Sequence, residues 1–308
     1  MFRNRGFIAL SAAVRVPSAA LAAPKAGIVR YSAPASWVKP PPAPTDAETP
    51  SNAPLRFIYS DMQVHVGEQD IETYTAYRVR ILKPEALPMG QIAIQWNPAN
   101  GSATVHGVKL IRGDQVIDVL KSTRFQVIQR EGALEQSMLT GDLTAVLQVP
   151  GLMVGDELQV ALTVKDRDPT LGDHAFGLFQ QPLQGIPGAF RIKLSWPASR
   201  KLSVRSSRDL PVAIPTSEGN ERTVSYELRD PSGAIINEGA PGRFNIRRLI
   251  EYSDFAGWAD VSSRIWPLFN QSATLSPDSA LRGEVARIKA LSDDPVARAQ
   301  AIRRSAFR

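Results

Sequence analysis

Cysteine is absent from this sequence of 308 residues, and histidine occurs only three times. A chain without cysteine forms no disulfide, no thiolate zinc site and no thiol nucleophile. Uncharged apolar runs of about 18 residues or more are also missing, so no segment is long enough to span a membrane as a helix. The glycine-rich phosphate loops and the G-x-S-x-G motif do not occur either. The sequence therefore predicts no reactive centre and no cofactor.

Acidic residues are missing from the first 45 positions, whereas Arg3, Arg5 and Arg15 all lie within the first 22. The whole chain carries a net charge of +6, and removal of residues 1–22 would lower that charge to +3. A body so close to neutral has no electrostatic footprint for nucleic acid. We therefore expect no nucleic-acid partner.

The N-terminus has the pattern of a bacterial export signal. A basic stretch, Met1–Arg5, precedes the apolar stretch Phe7–Val14, and small residues follow at positions 20 and 22. This pattern predicts a signal peptide over residues 1–22 and an exported, periplasmic protein that does not span the membrane once the peptide is removed. A basic arm without structure and an organellar transit peptide are the alternatives.

Residues 33–54 contain seven prolines. Proline favours extended polyproline II conformation and cannot occupy the interior of a strand or helix. We predict that residues 23–54 form an extended arm or linker, which Trp37 could dock on an apolar surface.

Strict alternation of side chains dominates residues 55–248. Leu158, Val160, Leu162 and Val164 share one parity, and polar or small residues occupy the other. This period of two is typical of a strand with one buried face. Similar stretches recur at spacings of about eight to twelve residues, and Gly113-Asp114 is typical of a hairpin turn. No alternation of strands with helices is present, so the sequence predicts an antiparallel β-sandwich rather than a parallel sheet.

Helical periodicity replaces this pattern over residues 249–308. Ser253-Asp254 predicts a helix cap, a second helix begins near Pro277, and Asp294-Pro295 predicts the start of a third. The apolar stripe of the first helix consists of Phe255, Trp258, Val261, Ile265 and Leu268.

Several segments together resemble a bacterial family. They are residues 105–120, 127–164 and 250–269, with a supporting match at residues 30–40. The sequence is similar to the domain of unknown function that precedes the transglutaminase-like core of many exported bacterial proteins. The resemblance implies a β-sandwich leader, a helical connector and then a papain-like core with a Cys–His–Asp triad.

Because this chain has no cysteine, that triad cannot be assigned to any of its positions. We therefore expect a non-catalytic exported module, with a helical connector truncated before the core. Its expected role is to scaffold or regulate a transglutaminase-like or cysteine-protease-like core. Its expected partner is such a core or a component of the cell envelope.

The few candidate chemical groups receive structural interpretations. His65, His106 and His174 have no convergent partners in the sequence pattern. Asp166, Asp168 and Asp173 are weak candidates for a calcium loop, but Pro169 and Leu171 stand where ligands belong, and we predict no metal. A third hypothesis keeps an enzyme with carboxylate chemistry that uses Asp173 and His174.

Aromatic residues carry the remaining hypotheses. Phe255, Trp258 and Trp266 lie on or beside the stripe of the first helix, and we predict that they form an interaction surface. The runner-up function is a carbohydrate- or envelope-binding module that uses exposed tryptophans and the loop at residues 166–174. Packing in the core is the more frequent use of tryptophan.

Overall fold

A computed structural model describes residues 28–46, 48, 52–129, 140–236, 239, 241–242 and 246–306. The predicted signal peptide at residues 1–22 lies outside the described residues, as do residues 130–139. The described chain forms fifteen strands and three α-helices. The strands are β1 (Arg30–Tyr31), β2 (Leu55–Val66), β3 (Ile71–Ile81), β4 (Gln91–Trp96), β5 (Ser102–Arg112), β6 (Gln115–Asp118), β7 (Gln126–Gln129), β8 (Leu143–Gln148), β9 (Glu157–Asp166), β10 (Phe176–Gln180), β11 (Ala189–Pro197), β12 (Ser203–Ser206), β13 (Thr216–Glu218), β14 (Glu221–Arg229) and β15 (Leu249–Ser253).

One long sheet of nine strands organises the molecule. Its order is β1-β5-β9-β3-β2-β11-β14-β13, and β6 pairs with β5. Gly113, with a φ of 56°, supplies the predicted hairpin turn between β5 and β6, since glycine adopts positive φ without strain. Pairing is antiparallel except at β1–β5 and at β2–β11, which run parallel.

Two three-stranded sheets cover one side of the long sheet, which we call the near face. Sheet β4-β8-β7 packs on β3, β5 and β9, and sheet β10-β15-β12 packs on β2, β11 and β14. Each contact encloses its own hydrophobic core. The prediction of a mainly β, antiparallel sandwich followed by a helical segment is confirmed.

The alternation in the sequence decides which side chains fill these cores. In β9, Leu158 and Val160 are fully buried on the near face, and Leu162 and Val164 pack against the same core. Consecutive side chains of a strand point to opposite faces, so the residues between them lie on the other side, which we call the far face.

The proline-rich arm lies across the far face. Trp37 and Val38 pack on a small cluster that includes Tyr59 and Tyr74. The Gln63 side chain bonds the Lys39 main chain in both directions, at 2.8 Å to its N–H and 2.7 Å to its carbonyl oxygen. Side chains of the sheet thus hold the arm in place of strand pairing, because proline has no N–H to donate to a neighbouring strand.

The helical segment comprises α1 (Trp258–Ser272), α2 (Leu281–Leu291) and α3 (Pro295–Ala306). The Asp294 carboxylate accepts hydrogen bonds from the N–H groups of Val296 and Ala297 at 3.1 Å each, as expected for a cap. The predicted cap of the first helix is wrong, because Ser253 ends β15 and the helix begins only after Gly257. None of the described helices has the length and apolar character needed to cross a bilayer.

Candidate functional site

The loop between β9 and β10 meets the start of the helical segment at a polar junction. Three chain segments converge there: residues 166–175, the turn around Arg200, and Asp254, which follows β15. They lie far apart in the sequence, and the packing of sheet β10-β15-β12 brings them together because β15 pairs with both β10 and β12.

Asp254 is the acceptor at the centre of this junction. Its Oδ1 lies 2.7 Å from Nδ1 of His174, and its Oδ2 lies 3.0 Å from Nε of Arg200. The N–H of Ala175 donates to the same carboxylate at 3.1 and 3.2 Å. Because an ionised carboxylate only accepts, the ring of His174 donates through Nδ1. We call His174, Arg200 and Asp254 the junction clamp.

Arg200 extends the clamp to the turn between β2 and β3. Its guanidinium donates to the carbonyl oxygens of Gly67 and Asp173 in addition to Asp254. The side chains of Arg200 and Asp254 are only 15% and 12% exposed, so solvent screens their ion pair weakly.

Aromatic stacking supports the clamp from one side. The ring of Phe255 lies 4.1 Å from that of His174 at an interplanar angle of 12°, and 6.1 Å from the ring of Phe176. Burial raises the pKa of the neighbouring Tyr252 to about 12, although Arg200 acts in the opposite direction. Phe255 therefore lies at the junction, whereas the sequence places it in one interaction surface with Trp258 and Trp266.

A cavity of about 250 Å³ opens beside the clamp. Asp166, Asp168 and Asp173, the weak metal candidates, all line it, together with His174 and Arg200. Among the residues that the structure describes, no three His, Asp or Glu side chains converge closely enough to hold a metal ion. The described lining contains no hydroxyl or thiol that could act as a nucleophile.

A serine and a carboxylate lie beside His65, as in a catalytic triad, but the three groups do not have the geometry of one. Its Nδ1 lies 3.1 Å from the Ser195 hydroxyl and 3.6 Å from the Glu221 carboxylate. A triad needs the two partners on opposite ring nitrogens, whereas here both contact one nitrogen. Trp37 also stacks on the ring at 5.4 Å. This arrangement anchors the arm.

His106, on β5, connects the start of the arm to β9. Its Nδ1 lies 2.9 Å from the Ser32 carbonyl oxygen, and its Nε2 lies 2.7 Å from the Thr163 hydroxyl. Both ring nitrogens thus have hydrogen-bonding partners, which fits the structural interpretation of this histidine.

The helical segment leaves large apolar side chains in solvent. Trp258 is 88% exposed, Trp266 and Phe269 are each 68% exposed, and Leu268 is 39% exposed. Trp258 and Phe269 lie on the same side of α1, and Trp266 and Leu268 flank that side to the left and right. We call these four residues the apolar helix face. Trp96 and Trp196, by contrast, are buried in the two cores, as their alternating positions predict.

Sequence reasoning missed Arg200 and assigned the wrong role to Asp254. An Asp before an apolar stripe is typical of a helix cap, and nothing near Arg200 marks it as a hub. Their partners lie 27 to 133 residues away along the chain, so no local pattern could identify them.

Comparison with known protein families identifies one match. Residues 68–233 match DUF3857, a domain of unknown function for which a structure has been solved. The sequence has no significant match among curated proteins.

A solved structure shares the fold at low sequence identity. A candidate protease from Parabacteroides distasonis is 12% identical with a TM-score of 0.65, over 82% of this chain and 50% of that protein. The chain thus spans half the length of that protein. An M1 zinc metallopeptidase from Deinococcus radiodurans is 13% identical with a TM-score of 0.32, over 65% of this chain and 42% of the peptidase.

Proposed function

The chain belongs to the DUF3857 family, and on that premise we propose that it is an exported, non-catalytic docking module. Its apolar helix face binds a transglutaminase-like or cysteine-protease-like domain. The junction clamp fixes the direction in which the helical segment leaves the sandwich, and so positions the bound domain.

The exposure of the apolar helix face carries this proposal. Large contiguous apolar surfaces on soluble proteins are typical of interaction sites. Burial of a side chain such as Trp258 or Phe269 contributes about 1.5–3 kcal/mol of transfer free energy. Four such residues, clustered on one helix, form the centre of a protein interface, where tryptophan is enriched.

Two further observations support a partner domain that supplies the chemistry. The chain has no cysteine, so a thiol nucleophile must come from elsewhere. The fold also recurs in a candidate protease of which this chain covers half the length. A sandwich of this kind therefore occurs in a protein in which half of the residues lie outside the matched region.

Site-specific photo-crosslinking in the native cell tests the proposal. A photoreactive amino acid at position 269 is expected to capture a cysteine-containing domain of the transglutaminase or papain type, identified by mass spectrometry. The purified complex should lose its hydrolase or acyl-transfer activity on treatment with iodoacetamide, a reagent that cannot alkylate a thiol on this chain.

The same amino acid at position 212 provides the control, because Val212 is 91% exposed and lies outside the helices. Equal capture from both positions, capture of a domain without cysteine, or activity that survives iodoacetamide would overturn the proposal.

A further inference from the structure

A second concave site lies on the near face of the long sheet, between the two cores. Along β2, Phe57 packs against the first core and Met62 against the second, and Ser60 lies between them. A cavity of about 470 Å³ opens at this point, with Phe57, Ser60 and Phe190 on its floor. We call it the inter-sheet cleft. It shares no residue with the apolar helix face.

The wall of the cleft is the segment between β10 and β11, and the protein itself holds that segment in place. The buried amide of Gln181 donates to the Tyr226 carbonyl oxygen at 3.0 Å. The Leu183 carbonyl oxygen accepts from the N–H of Ala234 at 2.7 Å. A site whose wall is fixed before binding loses little conformational entropy when a ligand enters.

The cleft carries no free charge among the residues that the structure describes. Arg191 is its single charged lining residue, but the side chain of Arg191 lies on the opposite, far face, where it donates two hydrogen bonds of 2.8 Å to Asp61 and one of 2.6 Å to the Pro40 carbonyl oxygen. An ionic ligand would lose its hydration there without gaining a partner of opposite charge. The lining therefore selects uncharged ligands.

The hydrogen-bonding groups of the cleft both donate and accept. The Ser60 hydroxyl and the exposed Gln184 amide have this property. The Gln180 amide shares it, because its NH₂ has two N–H groups, of which one donates to the Arg247 carbonyl oxygen at 3.2 Å, and its oxygen accepts. Beside them lie Phe57, half-buried, and Ile186. A ligand that matches this lining has hydroxyls around its edge and an apolar C–H face.

We propose that the inter-sheet cleft binds a neutral sugar unit of an oligosaccharide. The sugar ring packs its C–H face on Phe57, and its hydroxyls bond Ser60 and Gln184. An extended peptide is the less suitable ligand, because peptides added to sheets bind through main-chain hydrogen bonds to a strand edge. The cleft contains neither the exposed tryptophans nor the loop at residues 166–174 for which the sequence suggested a sugar-binding role.

Titration of the isotope-labelled protein, followed by NMR, tests this site. The probes are the neutral tetrasaccharides of N-acetylglucosamine and of glucose, in α- and β-linked forms, and a capped tetrapeptide of alanine and glycine. We expect at least one sugar to shift the signals of Ser60, Gln184 and Phe190. Gln184→Ala should lower the affinity for that sugar about fivefold, which corresponds to the loss of one neutral hydrogen bond.

Gln115→Ala is the matched control, since it removes an exposed glutamine from the hairpin strand β6. It should leave the affinity unchanged. No shift at the cleft with any sugar up to about 10 mM, a concentration at which even weak carbohydrate sites fill, would overturn the proposal. Shifts that Gln184→Ala does not reduce, or shifts produced by the peptide alone, would do the same.

Discussion

At the scale of single residues, the far face of the long sheet holds a buried ion pair. Asp61 is 1% exposed, and it accepts two hydrogen bonds from Arg191 and one from Gln63, each of 2.8 Å. The Arg191 side chain is itself only 13% exposed. Removal of one member of such a pair leaves the other charge buried without compensation.

We therefore expect Asp61→Ala to lower the free energy of unfolding by about 3–5 kcal/mol. Urea titration monitored by tryptophan fluorescence measures this loss. Glu227→Ala is the matched control, because it breaks a pair with Arg229 that has the same 2.8 Å distance but side chains 38% and 48% exposed. That pair should contribute less than about 1 kcal/mol. Equal losses in the two variants would contradict the interpretation.

The burial of Asp61 could not be predicted from its own strand. It shares a parity with Tyr59 and Gln63, and polar residues at alternate positions normally predict a solvated face. The arm that covers it and the arginine that neutralises it come from other parts of the chain, and Arg191 lies 130 residues away. The alternation of polar and apolar residues identifies the two faces of a strand, but it does not show which part of the chain covers the polar face.

At the scale of elements, the strands with strong alternation were predictable from the sequence. All four apolar residues of the predicted alternation, Leu158, Val160, Leu162 and Val164, lie in the single strand β9. β10 was missed because Phe176-Gly177-Leu178-Phe179 contains a glycine and no alternation of polar with apolar residues. The parallel pairing of β2 with β11 was also missed, because the sequence pattern of a strand does not specify its neighbour.

The junction clamp joins these elements, and its central residue can be removed without entering a hydrophobic core. Asp254→Ala eliminates the acceptor of His174, Arg200 and the Ala175 N–H. We expect amide hydrogen exchange at residues 255–258 to accelerate about tenfold or more, equivalent to about 1.4 kcal/mol of local stability. Mass spectrometry of the exchanged protein measures this change.

Asp278→Ala is the control for the clamp, since Asp278 is an exposed carboxylate between α1 and α2. Its removal should leave exchange at the junction unchanged. If Asp254→Ala accelerates exchange equally across all strands of the long sheet, the residue stabilises the whole fold instead of orienting the helical segment.

At the scale of the whole molecule, the sandwich buries its apolar side chains whereas the helical segment exposes several of its own, and this difference affects dye binding and self-association. The isolated protein should bind a hydrophobic dye and self-associate at high concentration, because the apolar helix face lacks cover among the described residues. Changing Trp258, Trp266 and Phe269 to serine should abolish most of both effects, as measured by dye fluorescence and sedimentation velocity.

Val212 and Ile214 supply the comparison, because they are 91% and 78% exposed in a connection outside the helices. Their change to serine should have little effect on either measurement. A strictly monomeric protein that binds no dye before any substitution would show that the apolar helix face has a partner within the chain.

The attachment of the proline-rich arm follows the order of synthesis. Gln63 anchors Lys39 from a position only 24 residues further on, whereas other anchors are residues that the ribosome adds much later. Arg191 bonds Pro40 across 151 positions, and Asp230 accepts from Thr45 across 185. A nascent chain can therefore dock Lys39 early, but Pro40 and Thr45 gain these distant partners only after β11 and the end of β14 have been made. Complete attachment of the arm thus requires most of the sheet to be synthesised, although the arm belongs to the first part of the described chain to be made.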